Sequence, residues 1–144
     1  PYYAYMNGEN LCGAVLIGPK FVLTAAHCKD ADNEFSIGAY KWGSGKKYQI
    51  ADRAVHPLYD EITYNNDIAL FELVEEVTDI PYLKLNPNVV DVPSTSLTVI
   101  GFGDTNPDEA DTDFANFLHR VDLSYVDANE CNRDQRGEIG DDMM

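Results

Sequence analysis

Apolar residues come in short runs, broken repeatedly by turn formers. Runs rich in Val, Ile, Leu, Tyr and Phe lie over 2–6, 13–17, 21–25, 34–39, 47–55, 67–73, 82–85 and 97–102. Between them stand Asn7-Gly8, Gly18-Pro19, Trp42-Gly43-Ser44-Gly45, His56-Pro57, Asn86-Pro87 and Val92-Pro93. Glycine allows positive φ and proline fixes φ without a donor, so each of these sites ends a strand. Short strands at this spacing predict an all-β barrel or sandwich. Only two stretches read as helical. Residues 25–30 predict a single turn after a strand, and 127–132 open with Asp127, an acid placed to cap a short helix. The proline-bearing polar stretch 86–96 predicts a linker between two subdomains, 1–85 and 97–144.

Composition adds little to this picture, and charge adds more. Hydrophobic residues are 44% of the 144 positions, a globular composition. Acidic residues number 25 against 10 basic, a net charge of −15. Such a surface repels phosphate backbones, which argues against nucleic acid as a partner, and it favours cationic partners without identifying one. No apolar run approaches membrane-spanning length, so no membrane partner is expected. The chain opens on Pro1, and Ile139-Gly140-Asp141-Asp142-Met143-Met144 runs on without a turn or stop. Both ends are expected to continue in a longer protein.

Metal chemistry finds little support. The acidic stretch 104–113 invites a calcium-loop reading, but the sixth and twelfth positions from Asp104 hold Glu109 and Ala115 where that loop wants Gly and Glu. It reads as a solvated acidic loop. Three cysteines and three histidines show no ligand spacing, so no metal is expected. Cys12 and Cys28 flank two predicted strands, which suits either a disulfide across a hairpin or two buried thiols. Cys131 has no obvious mate.

The most specific chemistry lies at two strand ends. Phe21-Val22-Leu23-Thr24-Ala25-Ala26 leads into His27-Cys28, and Asn65-Asn66-Asp67 leads into Ile68-Ala69-Leu70. A histidine near its unperturbed pKa of about 6.5 suits a base that takes a hydroxyl proton, and a carboxylate behind it fixes the ring. Either residue alone has a plainer reading, His27 as a core histidine and Asp67 as a turn cap. His56, before a proline in a turn, and His119, in a polar strand, read as structural or solvent-facing.

Together the blocks resemble the trypsin/chymotrypsin family. The resemblance runs from Cys12-Gly13 through Val22-Leu23-Thr24-Ala25-Ala26-His27-Cys28 and Asn65-Asn66-Asp67-Ile68-Ala69-Leu70. It continues at Val55-His56-Pro57-Leu58-Tyr59, at Val99-Ile100-Gly101-Phe102-Gly103, and at 118–126 with Cys131, so it spans essentially the whole chain. It implies two six-stranded antiparallel Greek-key barrels, the first nearly complete and the second truncated. It implies a secreted serine endopeptidase working through an acyl-enzyme without a cofactor, on peptide or protein substrates, a monomer at full length. Protein protease inhibitors are a further class of partner. By the family's roles His27 is the general base and then acid, and Asp67 orients its ring. Cys12 and Cys28 pair, and Cys131 pairs with a cysteine expected just past Met144. Tyr64 falls where the family lines the pocket for substrate residues upstream of the cut bond; an ordinary strand aromatic is the other reading.

This chain departs from the family's pattern in places. Ala14 and Val15 replace a common Gly-Ser, and Phe21 and Phe102 stand where tryptophan is common. The family's calcium loop would fall in 42–48, which is short here and carries Lys46 and Lys47. Gly-Asp-Ser-Gly-Gly, the nucleophile loop, occurs nowhere in the 144 residues. Residues 1–144 alone are therefore expected to be inactive and, with unpaired strand edges, to fold poorly. A homologue lacking the nucleophile and acting as a binding or regulatory module is the alternative reading.

Overall fold

The computed structural model describes residues 1–8, 11–88, 92, 94–106 and 113–134. Six strands form a closed antiparallel barrel: β1 (Tyr3–Asn7), β2 (Leu11–Gly18), β3 (Phe21–Thr24), β4 (Glu34–Ile37), β5 (Lys46–Val55) and β6 (Ala69–Leu73). They neighbour one another in the order β1-β2-β3-β6-β5-β4, and β4 returns to β1 through Ala4↔Ile37 and Tyr5↔Ser36. The all-β prediction is borne out. Closure leaves the barrel without a free edge. A second, two-stranded antiparallel sheet pairs β7 (Ser96–Gly101) with β8 (His119–Ser124), and a short helix α1 (Ala128–Asp134) follows. Asp127 caps that helix as predicted, its Oδ1 accepting the amides of Asn129 at 3.0 Å and Glu130 at 3.1 Å.

Period-two alternation explains the barrel core. Cys12, Ala14 and Leu16 of β2 and Ala69, Phe71 and Leu73 of β6 point inward to meet Phe35, Ile37 and Tyr48. Strand β1 is buried on both sides. Ala4 and Met6 enter the barrel, whereas Tyr3 and Tyr5 join Phe102 and Ala39 in a second cluster between the barrel and the two-stranded sheet. There Tyr5 stacks on Trp42 with ring centroids 4.5 Å apart, and Phe102 stands edge-on to Tyr5 at 5.4 Å. Gly43, at φ +78°, donates its amide to Tyr5 Oη at 2.9 Å, a backbone geometry that favours glycine. Burial lifts the Tyr3 phenol above its ordinary value, an effect partly offset by a hydrogen bond from the backbone of Phe102. The Trp42 amide donates to the Asn116 carbonyl and the Leu118 amide to the Tyr40 carbonyl, tying the two parts together.

One predicted strand is absent. Residues 82–85 follow Pro81, are exposed, and make a single ladder-like bond, Leu83 N–H to the Leu16 carbonyl at 2.9 Å. The β2 strand is already flanked by β1 and β3, and its register with β3 shifts between Leu16 and Gly18, so no continuous edge remains for 82–85 to pair with. Conversely, the sequence marks β8 as a strand only at His119, although Val121 and Leu123 alternate with polar residues across it. Of the expected linker, 89–91 and 93 lie outside the described residues, as do 107–112 of the acidic loop. Asp104 is described: its Oδ1 accepts the amides of Asn106 and Asp113, which holds its carboxyl below the usual range.

Candidate active site

Strand β3 ends at Thr24, whose hydroxyl donates to the Gly13 carbonyl at 2.8 Å. Ala25 is extended, and Ala26–Cys28 then turn as one 3-10 turn, the single helical turn expected there. Ala26 and Cys28 point inward and are buried, which turns His27 outward with half its side chain exposed. Cys28 is bonded to Cys12 of β2, with Cα atoms 6.0 Å apart, so the turn carrying His27 is stapled to the barrel wall. A covalent closure over 16 residues stabilises by about 3 kcal/mol in the chain-entropy treatment. Replacing both cysteines by alanine in the full-length product is expected to lower the unfolding free energy by about that amount. Urea titration checks it, and a loss below about 1 kcal/mol would contradict it.

Asp67 arrives from the other side, two residues before β6 begins. The loop before it is closed by His56 N–H to the Ile68 carbonyl at 3.0 Å and by Asn66 Nδ2 to the Leu58 carbonyl at 3.2 Å. Asp60 ties its middle: Oδ1 accepts the amides of Ile62 at 2.8 Å and Thr63 at 3.0 Å, and its carbonyl accepts Tyr64 N–H at 2.8 Å. Asn66 and Tyr64 both hold φ of 56°, left-handed geometry that asparagine tolerates well and tyrosine poorly. The amides of Thr63 and Ile62 hold the Asp60 carboxyl below its ordinary 3.8. A depressed folded-state value means this contribution is complete above the ordinary carboxylate range and is lost as pH falls through the lowered one. Amide exchange protection at Ile62 and Thr63 is therefore expected to fall below about pH 4, and Asp60→Ala should remove it at neutral pH. Exchange measured across pH checks this, and unchanged protection in Asp60→Ala would refute it.

The two segments meet at His27 and Asp67. Asp67 Oδ2 lies 2.7 Å from His27 Nδ1, and its Oδ1 accepts the His27 amide at 2.8 Å. One carboxylate thus holds both the ring and the backbone of one histidine, leaving Nε2 as the ring nitrogen free for chemistry. Tyr64 stands edge-on to the imidazole, with centroids 5.9 Å apart and planes at 84°. A cleft of about 660 Å³ opens alongside, lined by Ala14, Leu23, His56, Tyr64 and Asp67 among others. The structure thus brings His27, Asp67 and Tyr64 together. His56 lines the same cleft, but its Nδ1 accepts the Leu58 amide at 3.3 Å, a bond within its own turn. His119 sits exposed on β8, and Cys131 is a half-buried free thiol on α1. Among the described residues the one grouping of metal-ligand atoms is Cys12, His27 and Cys28, and both its sulfurs are spent in the disulfide.

Sequence reasoning missed Lys29 and Glu61. Lys29 follows Cys28 and pairs with Glu61 in the loop that leads to Asp67. No periodicity or motif links positions so far apart. Asp60, by contrast, carried a readable signal: an aspartate before a short polar turn accepts amides two and three residues on.

A closed antiparallel barrel holding a histidine and a carboxylate at one rim, joined to a second sheet, defines a β-barrel scaffold of the serine-protease kind. The chain belongs to the Trypsin family, whose model matches residues 1–144. Kallikrein-7 of Homo sapiens is 29% identical over 147 residues, covering 98% of this chain and 57% of its own length. Granzyme C of Mus musculus is 31% identical over 147 residues, covering 91% of this chain and 57% of its own length. Among solved structures, that of neuropsin, a serine protease expressed in the limbic system of mouse brain, superposes with a TM-score of 0.85 at 29% identity, over 98% of this chain and 66% of that one. The chain spans a little over half the length of the curated relatives it matches.

Proposed function

We propose that this chain is the His- and Asp-bearing part of a serine endopeptidase. Residues 1–85 form its first barrel, 86–96 the linker and 97–144 the start of the second barrel. One observation carries the reading: the 2.7 Å contact between His27 Nδ1 and Asp67 Oδ2, with His27 held again through its amide. That arrangement keeps the proton on Nδ1 and presents Nε2 as a base. A serine hydroxyl attacking a peptide carbonyl gives its proton to Nε2. The imidazolium, stabilised by Asp67, returns that proton to the leaving amine, and an acyl-enzyme remains for water to hydrolyse. Substrates are peptides or proteins, with Tyr64 lining the site upstream of the cut bond. The Cys12–Cys28 disulfide and the kallikrein and granzyme likeness support secretion.

The test is made on the full-length product. A fluorophosphonate probe should label it and a peptide amide should be cleaved, with both lost in His27→Ala. Cleavage that survives His27→Ala would overturn the reading. A folded, peptide-binding product that never labels would establish the homologue without a nucleophile instead. Residues 1–144 alone are expected neither to label nor to cleave.

A further inference from the structure

We propose that Lys29 and Glu61 are positioning residues, whose ion pair braces the loop before Asp67 against the turn that carries His27. The inference rests on the roles given to His27 and Asp67 above. Lys29 lies two residues after His27, and its Nζ meets Glu61 Oε1 while sitting 5.8 Å from the centre of the Tyr59 ring. Glu61 belongs to the turn that Asp60 closes, and from that turn the chain runs directly to Tyr64 and Asp67. Two links therefore join the same two segments: His27 to Asp67 at the chemistry, and Lys29 to Glu61 at the outer end of the loop. The chain between them closes a ring that contains Tyr64.

That ring has something to hold. Tyr64 keeps a left-handed backbone at φ 56°, a state a tyrosine keeps only when its surroundings impose it. Its fixed contacts are the Asp60 carbonyl at its amide and the His27 ring at its side chain. Both depend on the height of the 59–62 segment above the turn of His27; Tyr59 packs this segment against the barrel core, and the Lys29–Glu61 pair ties its outer side to that turn. The Tyr59 ring beneath Lys29 adds a cation–π contact on the same segment. The pair is partly exposed, the Lys29 side chain 33% and that of Glu61 69%, so water and salt weaken it. Exposed pairs of this kind bound the effect at about fivefold.

The experiment uses the full-length product, an uncharged peptide substrate and low ionic strength. Lys29→Met and Glu61→Gln are each expected to raise KM about threefold with kcat changed less than about twofold, because Tyr64 faces the substrate cleft. The exchanged double variant Lys29→Glu/Glu61→Lys should return KM toward wild type. At about 1 M salt, where screening acts over about 3 Å, the single variants and wild type should converge. A second readout does not need activity: the ring resonances of His27 should shift in both single variants and return in the exchanged one. Unchanged KM and unchanged His27 resonances in the single variants, or an exchanged variant no better than they are, would overturn the brace. Absence of any His27-dependent cleavage would instead overturn the catalytic reading, and the His27 resonances would still decide the brace.

Discussion

Asp67→Asn is expected to lower the kcat of the full-length product about 10⁴-fold while leaving the barrel folded, the magnitude being that of the same aspartate-to-asparagine change in the Ser-His-Asp triad of the trypsin family. The direction follows from the two bonds Asp67 accepts. Its Oδ1 takes the His27 amide, and its Oδ2 lies 2.7 Å from the ring Nδ1, which carries the proton in the mechanism proposed above. Asparagine has one acceptor oxygen and one NH₂ group. With the oxygen on the His27 amide, the NH₂ faces Nδ1 and forces it to accept. The imidazole proton then moves to Nε2, and the nitrogen that should take the serine proton is already protonated. Rotating the amide the other way restores the tautomer but aims a donor at the His27 amide, an unpaired clash at the root of the turn. Either orientation also removes the negative charge that stabilises the imidazolium. Single-turnover kinetics against pH, beside a urea titration, checks this. A loss under about tenfold, or a loss accounted for by unfolding, would sink the assignment of Asp67.

That prediction is legible in the sequence because the chemistry sits where strands end. A strand's alternation fixes which residues enter the core, and the first residues past its end escape that pattern. His27 follows β3, between two residues that are both pulled inward, and so must face out. Asp67 precedes β6 by two residues. Local patterning marks each as a strand-end residue, and the resemblance to the trypsin/chymotrypsin blocks is what joins the two into one expected site. Spacing alone leaves Cys12 and Cys28 open between a disulfide and two buried thiols; the resemblance implies their pairing, and the structure joins them across the neighbouring strands β2 and β3.

What the sequence hid depends on pairing across distance. Tyr3-Ala4-Tyr5-Met6 contains no polar residue to mark an outward face, and both faces are buried: Ala4 and Met6 in the barrel, Tyr3 and Tyr5 against Phe102. Alternation cannot say which face meets which core when neither face meets water. Residues 82–85 fail in the opposite way. Tyr82, Leu83 and Leu85 have the composition of a strand but no partner edge, because the barrel closes without them. Strand propensity describes how a residue fits a pleated surface, and such a surface exists only where a neighbour supplies it. The Lys29–Glu61 pair is hidden for a related reason, because its partners meet only once β3 and β6 are side by side.

Phe71→Ala is expected to cost about 3–5 kcal/mol of unfolding free energy, with hydrolysis lost in step with the folded population. Phe71 is fully buried at the middle of β6, paired in register with Val22 of β3 and Arg53 of β5. Its ring meets that of Phe35 edge-on, with centroids 5.5 Å apart and planes at 65°. Removing it opens a cavity at the barrel's centre, which the closed ladder of six strands cannot collapse to fill. Arg53 adds to the cost. Its guanidinium lies 5.4 Å over the Phe71 ring while Nη2 donates to the Asp32 carbonyl at 2.9 Å and to Asn33 Oδ1 at 2.8 Å. Those bonds fix the guanidinium, so it cannot follow the ring inward, and its buried Nε has no hydrogen-bond partner among the described residues to offset the loss. Losses of this size are a large share of the 5–15 kcal/mol typical of a domain. Phe71→Leu, which keeps most of the volume, should cost less than half as much. Urea titration of the three proteins decides it: a cost under about 1.5 kcal/mol for Phe71→Ala, or equal costs for Ala and Leu, would mean that the ring does not hold the barrel together.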